Sequence, residues 1–76
     1  MNRPNTFTNW LRLQIDRQDP IGDLARGAAE DRMWPRSGKT VEGYERYLAL
    51  RGTDPTVITA LFDAWAEYDA ERGRWT

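Results

Sequence analysis

Cysteine and histidine are both missing from this 76-residue chain. Without cysteine there is no disulfide staple and no thiolate metal site, and a reducing cytoplasm is the expected setting. Without histidine there is no Cys/His zinc site, no Ser-His-Asp or Cys-His nucleophile pair, and no imidazole pH switch. No apolar run approaches the ~20 residues that cross a bilayer, and Met1-Asn2-Arg3-Pro4-Asn5 lacks the apolar stretch of a signal peptide. Strand alternation, internal repeats, low-complexity tracts and cofactor motifs are absent as well. Nor does either charge dominate: 11 Lys and Arg stand against 12 Asp and Glu, so a net charge of −1 gives no general pull toward nucleic acid or anionic lipid.

Aromatic residues are what the chain has in quantity: four Trp, three Tyr and two Phe. A domain this small buries only about 60% of the surface its unfolded chain exposes. Its core must therefore rest on rings, each removing roughly 150–250 Å² from water. The stretch from Asp54 to Gly73 organises them. Ile58, Leu61, Phe62, Trp65 and Tyr68 fall at the i, i+3, i+4, i+7 spacing of one helical face. Asp54 offers a cap, Pro55 fits the first helical turn, and Gly73 offers a left-handed stop.

Upstream, Thr6 or Thr8 caps a first helix that ends near Asp16 and presents Phe7, Trp10, Leu11 and Ile15 on one face. Asp19-Pro20 repeats the cap-then-proline grammar and starts a second helix that reaches about Glu30. Leu24 and Ala28 are its expected contact line, and Ala25, Gly27, Ala28 and Ala29 are small enough to let another helix approach closely. The segment Asp31–Lys39 is a loop, because Pro35 pushes Trp34 out of helical geometry and Ser37-Gly38 marks a turn. Thr40 caps a third helix with Val41, Tyr44, Tyr47, Leu48 and Arg51 in register, and Gly52 closes it. Thr53-Asp54-Pro55 is too short for anything but an immediate turn into the fourth. The expectation is an all-α, compact bundle of four helices, two pairs packed across each other, forming one domain over residues 1–76 with an ordered core of about 6–73.

These residues resemble the YozE family of small bacterial proteins, whose fold is like that of the sterile alpha motif (SAM) domain. The likeness runs from Phe7 to about Gly73 and is carried by Phe7 with Trp10-Leu11, Asp19-Pro20-Ile21-Gly22-Asp23-Leu24-Ala25, Trp34-Pro35, Tyr47-Leu48, and Ala64-Trp65 with Tyr68. The family tends to read Phe-Asp-x-Ala-Trp, whereas Leu61-Phe62-Asp63-Ala64-Trp65 brings the Phe one place nearer the Trp. One residue turns a helical side chain by ~100°, so packing at that point should differ. The resemblance implies a SAM-like fold in a bacterial or phage protein. It implies no catalytic residue.

Two surface features invite a functional reading. Asp63, Glu67 and Glu71, at i, i+4 and i+8, make an acidic stripe on the last helix, and like charges so placed repel. The stripe either meets a basic partner or is offset by nearby arginines such as Arg12, Arg72 or Arg74. The second feature is the basic loop of Arg32, Arg36 and Lys39 around Trp34, which would grip phosphates and stack on a base. Its plainer reading makes Trp34 a plug between helix pairs and leaves the cations in water. Leu50-Arg51-Gly52-Thr53-Asp54 fails as a phosphate-binding hairpin because its second Gly is missing and Asp54 puts a carboxylate where the phosphate would sit. Trp75-Thr76 offers an anchor for a partner or folds back on the core.

The remaining carboxylates sit on caps or an exposed face, with no cleft to exclude water, so no catalytic, cofactor-binding or metal-ligating residue is assigned. The expected function is that of a small, non-catalytic, cytoplasmic interaction module. It binds another protein, or itself, through surface faces, with a monomer as the resting state and no membrane contact. Weak nucleic-acid binding through Arg32–Lys39 is the alternative.

Overall fold

A computed structural model of the chain describes residues 6–36 and 40–74. It holds four helices in the order α1 (Phe7–Arg12), α2 (Pro20–Glu30), α3 (Val41–Leu50) and α4 (Pro55–Arg74), with no strand among the described residues. Each of the first three starts on the cap its sequence supplies. The hydroxyl of Thr6 accepts from Asn9 N–H at 3.1 Å, the Asp19 carboxylate from Gly22 N–H at 2.9 Å, and the Thr40 hydroxyl from Gly43 N–H at 3.3 Å. Asp54 accepts from both the N–H and the hydroxyl of Thr56 at 2.8 Å, which opens α4 on Pro55.

Gly52 closes α3 with φ +70°, while Gly52 N–H reaches Ala49 O at 3.1 Å and Thr53 N–H reaches Leu48 O at 3.2 Å. This 5→2 and 6→1 pair is the Schellman stop. Gly73 is no stop: α4 runs through it to Arg74 with ordinary backbone. The first helix is shorter than its periodicity implies, since residues 13–16 continue as turns and Ile15 is left exposed. Thr8, the other candidate cap, is buried instead.

The longest helix, α4, touches all three others, and the contact face is set by small residues as much as by rings. Ala60, Leu61, Ala64 and Tyr68 are buried, Ile58 and Trp65 are half-buried, and Phe62 is 42% exposed. The expected face is thus turned toward the alanines, which let α2 lie close, and Phe62 is a correction to it. Leu61 fills the fully buried place beside it.

Ring contacts bind the core. Phe7 lies 5.0 Å from both Tyr44 and Trp65, 5.5 Å from Tyr68 and 5.9 Å from Trp10. Through these contacts α1 reaches α3 and α4 together.

Candidate functional site

The Asp31–Arg36 connection folds inward at Trp34, which is 7% exposed. Its indole Nε1–H donates to the Thr8 hydroxyl at 3.1 Å, and its ring sits 5.6 Å from that of Tyr44 and 5.7 Å from that of Tyr47. Thr8 is the node of this buried cluster. Its one proton goes to the Pro35 carbonyl, which can only accept. The 3.0 Å contact with Tyr44 must therefore be a hydrogen bond donated by the phenol. Burial raises the Tyr44 pKa above its ordinary value, so that proton stays in place. A base cannot stack on a ring engaged in this way, so Trp34 drops out of the basic-loop reading. Arg32 and Arg36 are exposed, and Lys39 lies outside the described residues. Arg12 of α1, which the sequence offered as an offset for the acidic stripe, instead joins Arg32 and Arg36 around a hollow of about 130 Å³.

Asp31, next to Trp34, ties the end of α2 to α3. Its carboxylate accepts from Tyr47 O–H at 2.5 Å and from Met33 N–H at 2.9 Å, with Arg51 at 3.8 Å. The Tyr47 hydrogen bond, then the Met33 N–H and Arg51, hold the Asp31 pKa below the usual carboxylate range. Asp19 is lowered by Gly22 N–H and Arg17, and Asp54 by the Thr56 N–H and hydroxyl. A lowered folded-state pKa means stability that is complete above the unfolded carboxylate value and lost as pH falls through the folded one. Urea midpoints followed by circular dichroism should be level from pH 7 to about 5 and drop below about pH 4. Asp31→Asn should flatten that drop; equal midpoints for the native chain at pH 7 and 3 would contradict the assignment.

The acidic stripe does not act as one surface. Glu67 is held by Arg17 of the α1–α2 linker in a two-pronged pair, Nη1 to Oε1 at 2.8 Å and Nη2 to Oε2 at 3.1 Å. Arg17 also contacts Asp19 at 2.8 Å, and Glu67 first, then Asp19, raises its pKa. Arg72 pairs with Asp69 at 2.6 Å and lies over the Tyr68 ring at 5.3 Å, so it does not offset the stripe. Glu71 is half-buried. Asp63 alone of the three stands at the rim of a groove.

That groove is the apolar hollow among the described residues whose floor is formed by core side chains. It has a volume of about 570 Å³ and runs between α2 and the first half of α4, with Trp34 and Leu48 at one end. Its walls follow helical spacing: Pro20, Leu24, Gly27 and Ala28 on α2, Val57 and Ala60 on α4. Leu24, Trp34, Leu48 and Ala60 belong to the buried core, so the floor is core surface. Gly27, with nothing within 4 Å of where a Cβ would stand, and Ala28 open the hollow. Leu24 and Ala25 are buried and Ala28 packs on the core where α4 approaches, as expected of the small residues of α2, while Gly27 beside them leaves the groove open. The ionisable lining residues are Asp23, Asp31 and Asp63; no Lys or Arg is among them.

Among the described residues, no three His, Cys, Asp or Glu side chains converge to hold a metal ion, and no helix is long and apolar enough to cross a membrane. Four helices with a long C-terminal one against the rest define a small all-α, SAM-like module. The chain belongs to the YozE SAM-like fold family, whose model matches residues 6–70. No curated protein and no solved structure matches it.

Proposed function

We propose that the chain is a small, non-catalytic interaction module that binds another protein through the face formed by α2 and α4, in a bacterial or phage-related cytoplasmic setting. The observation that carries this reading is the groove: an apolar floor of core side chains with carboxylates along its rim. An apolar floor with few oriented polar groups suits recognition by burial. Its three carboxylates lack a paired nucleophile or base, so a reaction has no evident players there. Asp63→Lys is the cleanest probe, because Glu67→Lys would also break the Arg17 pair. Binding to a partner identified by affinity capture and rebuilt from purified components should weaken about tenfold or more in Asp63→Lys. Binding unmoved by Asp63→Lys and by Val57→Arg would overturn the reading.

A second reading, weak nucleic-acid binding, draws on Arg12, Arg32 and Arg36 around the smaller hollow. It predicts a salt-dependent mobility shift lost in Arg32→Ala with Arg36→Ala, and no shift at low salt would remove it.

A further inference from the structure

The reading of the α2–α4 groove as a docking surface leaves its occupant open, and the charges around it are specific enough to choose one. We propose that the groove takes a cationic amphipathic segment of the partner protein, its apolar side chains on the Leu24, Val57 and Ala60 surface and an arginine or lysine on Asp63. This rests on the proposed function above and goes beyond it by naming the chemistry of the partner.

The three rim carboxylates differ in what already occupies them. Asp31 is engaged by Tyr47, Met33 N–H and Arg51, and Asp23 pairs with Arg26 one turn along α2. Asp63 is exposed and makes no ion pair or hydrogen bond among the described residues. One turn further along α4, Glu67 shows the local solution to the same problem, since a guanidinium from another part of the chain grips it with two parallel bonds. A partner's guanidinium on Asp63 would extend that row by one turn. No cation lines the groove, and with Asp23 and Asp31 already answered by Arg26 and Arg51, Asp63 is the charge left to attract a positive segment and repel an acidic one. The apolar floor supplies the burial that a lone ion pair on the surface lacks. The volume of about 570 Å³ accommodates a few apolar anchors, as in helix-in-groove recognition.

The probe is a short synthetic helix-forming peptide with leucines along one face and arginines beside them, compared with a twin carrying glutamate for arginine. Both are titrated into the isotope-labelled full chain, followed by amide shifts and by anisotropy of labelled peptide. The arginine peptide should bind saturably, with shifts on α2 and the first half of α4, and at least about tenfold more tightly than its twin. Asp63→Lys should reverse that ranking, and Gly27→Leu, which fills open space, should weaken both peptides while leaving the helical spectrum intact. Equal binding of the twins, both lost in Gly27→Leu, would end the cationic assignment while keeping the groove. Peptide binding untouched by Gly27→Leu would end the groove reading itself. Saturable binding of neither peptide, or groove shifts that track the chain's own concentration and give the site to a second copy, would overturn the proposal.

Discussion

Gly22→Ala should cost about 3 kcal/mol or more, while Gly27→Ala, five residues later in the same helix, should gain about 0.5–1 kcal/mol. Both replacements add one methyl group and both improve helix propensity, so their difference isolates the surroundings. At Gly22 a Cβ would stand 2.0 Å from the carbonyl oxygen of Arg17 and 2.7 Å from its carbonyl carbon. Those are backbone atoms, which cannot swing aside as a side chain does. That carbonyl is itself held, accepting from Arg26 Nη1 at 2.9 Å beside Ile15 O at 2.6 Å. Moving it would loosen the Arg26 clamp and displace Arg17 from Glu67. At Gly27 nothing lies within 4 Å. A chain of this length has roughly 4–11 kcal/mol of stability in total, so the first substitution should remove a large fraction of it. At about 4–8 °C per kcal/mol, melting curves should place the two variants about 15 °C or more apart, on opposite sides of the native chain. A Gly22→Ala midpoint at or above the native one would mean that the linker does not press on α2 as described.

That close approach shows where sequence reasoning stops. Caps are local: a hydroxyl or carboxylate answers an N–H three residues on, so Asp19, Thr40 and the Gly52 stop could be read from spacing alone, and the first cap narrowed to Thr6 or Thr8, of which the structure selects Thr6. The four helices followed from these caps and the apolar periodicity, whereas the SAM-like class came from the resemblance to the YozE family. The facing of α4 did not, because periodicity weighs large side chains, whereas helix packing here selects Ala60 and Ala64 and leaves Phe62 outside. Gly22 gave no signal, since what it touches is set by the path of a linker. The candidate site divides the same way. Asp63 stood out through its stripe, but the partner of Glu67 lies 50 residues away at Arg17, and the groove depends on which small residues lack a neighbour. Trp34 read as either a plug or a stacking platform until its hydrogen bond to Thr8 decided for the interior.

Phe7→Ala should cost about 3–5 kcal/mol, against no more than about 1 kcal/mol for Phe62→Ala, even though Phe62 lies in the most aromatic segment of the chain. Phe7 is 2% exposed and meets four other rings, with centroids 5.0–5.9 Å away. Removing it leaves a void bordered by Trp10, Tyr44, Trp65 and Tyr68, which rigid rings fill poorly. It also removes an anchor of α1. Six residues are far too few to hold a helix by propensity, so α1 exists because its side chains are buried. Hydrogen exchange in Phe7→Ala should accordingly show the amides of residues 8–12 opening well before those of α4, whereas Phe62→Ala should leave the exchange pattern unchanged. Similar losses for the two variants would make the α4 face, and not the first helix, the centre of the core. The groove depends on the same answer, because Leu24 and Ala60 belong to the same buried core as Phe7 and form the groove floor only while that core holds α2 and α4 in place.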